Sequence, residues 1–140
     1  MEIDLDKIRR YFSADRFAAL AGIVIDSAGE DQVECSMEIT DKHRNAGGAV
    51  QGGAIFTLAD LAFAVHSNLD LACGSADRGI TVGQSCSISF LKGTRGKRLI
   101  AQSTCLSQGK NISVYRITIK DDLGVLIAEM HGNGFTTVKR

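Results

Sequence analysis

The stretch Ala54-Ile-Phe-Thr-Leu-Ala-Asp60-Leu-Ala-Phe-Ala-Val65-His-Ser-Asn68 decides the fold. It is too long for an ordinary strand, rich in Ala and Leu, and free of breakers, so it predicts a helix from Ala54 to about Asn68. Ten of the twelve residues from Ala54 to Val65 are apolar. A helix apolar nearly all round must be surrounded by protein, so this one is expected at the centre of the molecule.

The segments on either side read as strands. From Gly22 to Thr40, Val33, Cys35, Met37 and Ile39 alternate with Gln32, Glu34, Ser36 and Glu38 after a turn at residues 28 to 31. This period of two predicts a hairpin with one wet face. Residues 41 to 53 hold four of the fifteen glycines and no periodicity, which predicts a loop. After the helix, strands are expected over 79–91, 98–107, 112–120 and 125–138, divided by turns at 92–97, 108–111 and 121–124. In the first of these, Ile80, Val82, Cys86, Ile88 and Phe90 are assigned to one face, and Thr81, Gly83, Ser85, Ser87 and Ser89 to the other. Residues 1–21 read as a short helical region, with Asp15 capping its second turn. One buried helix and five to six antiparallel strands satisfy both patterns if the sheet curls around the helix, giving an α+β domain over residues 1–140.

Composition excludes several functions. Sixteen basic and sixteen acidic side chains cancel to zero net charge, which argues against nucleic acid as a partner. The longest apolar run is too short to span a bilayer and carries Asp60 in its middle, so no membrane span is expected. The N-terminus lacks the cationic start and long apolar core of a signal peptide, which points to the cytoplasm. Cys35, Cys73, Cys86 and Cys105 form no CxxC pair, and His43, His66 and His131 have no metal-ligand spacing, so no metal site is expected. The cysteines read as small buried hydrophobes and the histidines as surface or interface residues, with His66 the only one near Asp60 in sequence.

Asp60 is the residue that demands an explanation, because a carboxylate within an apolar helix is costly to desolvate unless it is paired or opens on a wet cavity. One reading pairs it with Thr57, a neighbouring strand or a second copy of the chain. The other makes it a general base or nucleophile. At Gln51-Gly52-Gly53 the helix starts without a Ser, Thr or Asp cap, which leaves backbone NH groups free to polarise a carbonyl oxygen. About 11 Å of helical rise separates these glycines from Asp60, a stretched distance for one site within one chain.

The string Asn45-Ala-Gly-Gly-Ala-Val50-Gln51-Gly52-Gly53-Ala-Ile-Phe56-Thr-Leu-Ala-Asp60-Leu-Ala-Phe-Ala resembles the hotdog-fold acyl-CoA thioesterases, most closely those of the PaaI type. The segments from Thr81 to Lys92 and from Gln108 to Tyr115 resemble the same family. The resemblance implies a sausage-like central helix wrapped by the sheet, association into dimers or dimers of dimers, and an active site at the subunit interface. It further implies Gly52 as oxyanion donor, Asp60 of the other subunit as base or nucleophile, and Asn45 positioning water or Asp60. The implied substrate is an acyl-CoA, with coenzyme A as part of the substrate and no other cofactor.

Two positions depart from the family: Gln51 stands where His is usual, and Gly93 where Pro is frequent. Gln51 can orient a thioester or a water but cannot titrate. Gly53, Val50, Phe56 and Lys92 with Arg95 are the expected substrate contacts, the last two meeting phosphates. Phe63 and the 81–89 face are further candidates for the pocket wall. The basic run Lys92, Arg95, Lys97 and Arg98 also suits a plain solvated turn. Two other functions remain open: a non-catalytic acyl-CoA-binding hotdog protein, favoured by Gln51, and a hotdog dehydratase or hydratase using His43 or His66 as its base.

Overall fold

The computed structural model describes residues 2–75 and 78–137. The elements follow the order α1 (Leu5–Phe12), α2 (Arg16–Leu20), β1 (Ile23–Ala28), β2 (Val33–Glu38), a 3-10 turn (Asp41–His43), α3 (Gly52–Ser67), α4 (Leu69–Ala72), β3 (Thr81–Phe90), β4 (Arg98–Gln108), β5 (Ile112–Asp121) and β6 (Leu126–Thr136). Asp4 and Asp15 cap α1 and α2, the latter accepting from the Ala18 NH at 3.0 Å, as a carboxylate at a helix start should. The end of the last expected strand, from residue 138, lies outside the described residues.

All strand pairs are antiparallel, and the order across the sheet is β1-β2-β4-β5-β6-β3. The β1–β2 hairpin and the β4–β5–β6 meander are therefore adjacent, while β3 crosses to the far edge beside β6. α3 lies on the concave face and packs Leu58, Ala59, Ala62, Phe63 and Val65 against inward residues such as Met37, Leu99, Ile117 and Met130. The sheet does not close, so β1 and β3 remain edges.

Three glycines allow the helix to come this close. A Cβ at Gly83, Gly132 or Gly134 would lie 3.6, 3.4 or 3.1 Å from the Phe63 ring. The ring thus rests on a part of β3 and β6 that has no side chains. At the C-terminal end of α3, the buried Asn68 side chain accepts from the Thr81 NH (2.8 Å) and donates to the Thr81 carbonyl (2.9 Å). It ties the helix end to the start of β3 by satisfying the backbone groups that an edge strand would otherwise leave open.

Four expectations are corrected. Residues 41–53 are not all loop: Asp41–His43 forms a 3-10 turn, Arg44 and Val50 make an isolated antiparallel bridge, and Gly52 and Gly53 are the first helical residues. A register shift between Gly83 and Ser85 exchanges the faces of β3 midway. Gly83 pairs with Gly134 and Cys86 with Gly132, both on the helix side, whereas Val82 pairs with Phe135 on the outer side. The one-residue bulge at Gln84 breaks strict alternation, so Ile80 and Val82 do not share a face with Cys86, Ile88 and Phe90. Next, α3 is not covered all round: Gly53, Thr57, Asp60, Ala64 and Ser67, spaced four and three apart, form a stripe from which no residue is buried, and Asp60 on it is exposed. Finally, His43 and His66 are buried at 8% and 5% exposure, because both ring nitrogens of each find partners within the fold.

Gly134→Ala places a methyl 2.7 Å from Thr81 Cγ2 and 2.9 Å from Ser113 Oγ as well as against Phe63. The variant is expected to lose about 1–3 kcal/mol of stability through overpacking, read as a lower urea midpoint. Phe63→Leu in the same chain should recover part of the loss, whereas two independent additive losses would show that the ring and the glycine do not share one space.

Candidate active site

The start of α3 is built from backbone. Gln51 holds an extended conformation (φ −66°, ψ 138°), its NH donates to the His43 carbonyl at 2.8 Å, and its carbonyl accepts from the NH groups of Ala54 (3.0 Å) and Ile55 (3.2 Å). No side chain caps the helix. Among the described residues the NH groups of Gly52 and Gly53 have no protein acceptor, so two donors at the positive end of the helix dipole are left for an oxygen atom.

His43 fixes this corner. Its Nε2 donates to the Ala21 carbonyl at 2.7 Å, and its Nδ1 accepts from the Thr40 NH at 3.0 Å. The side chain thus joins the end of α2 to the 3-10 turn, while the backbone of the same residue holds Gln51.

Two cavities flank the helix start. One of about 410 Å³ is lined by Val50, Gly52, Ile55, Phe90, Lys92 and Ile127 among others. The Phe90 ring covers Gly52, with its Cζ 3.1 Å from where a Cβ would be. The other cavity, of about 520 Å³, is lined by Phe17, Leu20, His43, Gln51, Gly53 and Thr57 among others. The Gln51 side chain lies back over Gly53, its Oε1 2.9 Å from a Cβ built there. Glycine at both positions keeps these approaches open.

Asp60 lies two turns along the open stripe from Gly53. It does not pair with Thr57, whose hydroxyl donates instead to the Gly53 carbonyl at 2.7 Å. Although the Asp60 side chain reaches solvent, the protein around it raises its pKa above the ordinary carboxylate value, first by desolvation and then through the charge of Asp15. Cys86, on the helix side of β3, is raised by burial and by the charge of Asp60, and so belongs to the same neighbourhood. The expected grouping of Cys86 with Ile88 and Phe90 holds, but its reading as a buried hydrophobe does not: Cys86 is exposed, and of the four cysteines only Cys35 is buried. Cys35 is different: fully buried beside Asp26 and Glu34, its thiol is pushed up to about 12.

The remaining expected site residues divide. Asn45 commits its Oδ1 to the NH groups of Gly47 (3.0 Å) and Ala49 (3.1 Å), so its amide NH2 is the group left to meet a substrate. Val50 and Lys92 line the smaller cavity with Gly52. Phe56 is half-buried against the core, and Phe63 is fully buried on its glycine bed, so Phe63 walls no open pocket. Arg95 is exposed on the turn. Arg98 points to the outer face, where it pairs with Asp26 at 3.3 Å and donates to Ser36 at 2.8 Å, and is thereby separated from Lys92.

His66 is far from the helix start. Its Nε2 donates to the Glu30 carbonyl at 2.8 Å and its Nδ1 meets the Ser103 hydroxyl at 3.0 Å. With both ring nitrogens of His43 and His66 engaged, neither offers the free base that dehydratase chemistry needs. Among the described residues no three His, Cys, Asp or Glu side chains gather to hold a metal, and no helix is long and apolar enough to cross a membrane.

A six-stranded antiparallel sheet curved over one long helix is the hotdog fold, and a thioesterase from Haemophilus influenzae superposes over 99% of this chain and 93% of its own with a TM-score of 0.86 at 22% identity. The model of the thioesterase superfamily matches residues 47–128. Acyl-coenzyme A thioesterase PaaI of Escherichia coli K12 is 33% identical over 86% of this chain and 82% of its own length. The E. coli PaaI structure gives a TM-score of 0.77 at 28% identity, with 95% of each chain covered. A Streptococcus mutans UA159 protein solved with acetyl CoA bound gives 0.72 at 26% identity, over 84% of this chain and 90% of its own. The chain belongs to the thioesterase superfamily. Within it the protein is a PaaI-like hotdog thioester hydrolase.

Burial lowers the His66 pKa below its usual value of about 6.5, against smaller opposing effects of the Glu30 and Ser103 hydrogen bonds and the Asp31 charge. The folded state therefore holds His66 neutral, and its contribution to stability is complete above pH about 6.5 and is lost as pH falls below that value. The urea midpoint of the wild type should fall between pH 7.5 and 5.5. His66→Gln should flatten that slope, and an unchanged slope would assign the pH dependence to other groups.

Proposed function

We propose that the protein hydrolyses acyl-CoA thioesters at a site completed by two copies of the chain, with the Gly52 NH of one subunit as oxyanion donor and Asp60 of the partner subunit as base or nucleophile. The observation that carries this reading is the uncapped start of α3, whose donors face a cavity with Lys92 at its side. Within one helix Asp60 is about 11 Å away along the axis, too far to serve the same carbonyl carbon. A second copy set antiparallel against the open edge of β3 brings the two groups together. That edge exposes Val82, Phe90 and Leu91 and suits strand pairing. The acyl-CoA named for E. coli PaaI and the acetyl CoA bound to the S. mutans neighbour support the substrate class.

In this reading the thioester oxygen accepts from Gly52 as charge builds on it, aided by the helix dipole. Asp60 either takes a proton from the attacking water or attacks the carbonyl carbon itself, in which case water cleaves the resulting anhydride. On either route one water is consumed, the C–S bond breaks, and coenzyme A leaves as a thiolate that takes up a proton. Asn45 and Gln51 orient carbonyl or water through their amides, and Gly53, Val50 and Phe56 contact the substrate. Lys92 and Arg95 meet the coenzyme phosphates.

Asp60→Asn is expected to lower kcat for thiol release by about a hundredfold or more. Gly52→Pro removes the donor while keeping a residue that suits the first helical position, and the extended Gln51 backbone already fits a following proline. It should cost about 10²–10³ in kcat. Co-refolding the two inactive variants should restore about one quarter of wild-type activity, since half of randomly assorted dimers are mixed and each mixed dimer holds one intact site. No recovery would place both groups in one chain. Acyl-CoA binding without thiol release in the wild type would establish instead the non-catalytic reading that Gln51 favours.

Because Asp60 must be ionised to act and its pKa is raised, kcat/KM should be constant at neutral pH and fall as pH drops through a value above the carboxylate norm of about 4. An inflection at or below that norm would assign the titration to another group.

A further inference from the structure

We infer that the larger cavity, between α2 and the start of α3, is the acyl chamber, and that Phe17 and Leu20 set the length of chain the enzyme accepts. This rests on the reading of Gly52 as the carbonyl-binding residue. At 100° per residue, Gly52 and Ile55 face one flank of the helix, and Gly53, Ala54 and Thr57 the other. The two cavities follow this division. A carbonyl held by the helix-start NH groups therefore lies between two hollows, and the two arms of a thioester leave into different ones. The smaller hollow has Lys92 at its side and leads to the basic turn, which suits the charged coenzyme arm. The larger one also carries Lys42, His43, Gln51 and Thr57, but the greater part of its surface is apolar, with Phe17, Leu20, Ala21 and Ala54 as its apolar walls.

Phe17 and Leu20 are 66% and 80% exposed, an unfavourable state for two large apolar side chains on one short helix unless something apolar covers them. They are not held loosely. The His43 imidazole bonds to the carbonyl of Ala21, the residue that ends α2, and the His43 carbonyl holds Gln51. The wall of the chamber and the oxyanion donors are thus fixed to one another through a single residue. α2 also lies outside residues 47–128, the part matched by the superfamily model, so this wall belongs to the chain's own N-terminal segment. At about 30 Å³ per water-sized volume, a hollow of about 520 Å³ holds about seventeen such volumes, enough for an unbranched acyl chain of medium length.

The test uses S-alkyl-CoA thioethers from ethyl to dodecyl, which keep both arms of the substrate but cannot be hydrolysed, with Kd measured by calorimetry. For the wild type each added methylene along the series should tighten binding about three- to fourfold. Phe17→Ala/Leu20→Ala should at least halve that gain per methylene. Ala54→Phe, which fills the chamber from the helix side, should stop the tightening at a shorter chain. Urea midpoints verify that each variant folds. Equal chain-length dependence in wild type and double variant, or no thioether binding at all, would overturn the chamber. Binding does not depend on hydrolysis, so the two readings fail separately. A chain-length effect that vanishes in the double variant of a protein without thiol release keeps the chamber and removes the enzyme. Thiol release abolished by Asp60→Asn, with chain-length dependence unmoved by the Phe17 and Leu20 changes, does the reverse.

Discussion

The contact on which the structure depends is that between the Phe63 ring and the glycine bed of β3 and β6. A helix lying across a sheet is normally held away by two layers of side chains. Here one layer is missing beneath Phe63, at Gly83, Gly132 and Gly134, and the aromatic ring fills the gap. This fixes the depth of α3 and its rotation about its own axis. Once Phe63 points into the bed, helical geometry sends Gly53, Thr57, Asp60, Ala64 and Ser67 toward the opening that the sheet leaves. The position of the Asp60 carboxylate is thus a consequence of where an aromatic ring fits, three residues later in the chain.

The far end of the helix is fixed by a polar device and the near end by backbone. Asn68 uses donor and acceptor together on Thr81, with distances of 2.8 and 2.9 Å, so the helix end and the first residue of β3 move as one. At the near end the chain does the opposite: it satisfies Gln51 and leaves the next two NH groups unpaired. Leaving two donors unsatisfied is tolerable only where water or a ligand reaches them. The cavities on both flanks provide that access.

The helix, the sheet strands and their turns were legible in the sequence because each rests on local periodicity. Two antiparallel segments before a long apolar helix and four after it leave few topologies. The residues of the helix start were legible for a similar reason: Gly-Gly after an uncapped loop is a local statement about backbone. The bulge at Gln84 was not, because nothing in a polar strand marks which residue is skipped, and that one residue puts Ile80 and Val82 on the face opposite Cys86. The open stripe was equally hidden. Ala64 and Thr57 look like core in a string of letters, and only the extent of the sheet decides that they are uncovered. The burial of His43 and His66 was not legible because their partners, Ala21, Thr40, Glu30 and Ser103, are mostly backbone groups or distant in sequence.

The state of Asp60 follows from the same geometry. In a single chain the carboxylate reaches solvent, yet desolvation and the Asp15 charge already raise its pKa. Burial of the open stripe by any apolar surface would remove water that still stabilises its charge, and so would raise the pKa further. A carboxylate in that position becomes a stronger base while it remains ionised. The cost of holding it there is smallest when the covering surface brings a group that interacts with the ionised form, such as a water donating a hydrogen bond. In the dimer proposed above, a symmetric second copy would supply the positive end of a helix dipole as well, since the uncapped start of α3 is the other exposed polar feature of the same helix. The two exposed features of α3 are too far apart to satisfy each other within one chain, and a two-fold axis between copies is the simplest arrangement in which each meets its complement.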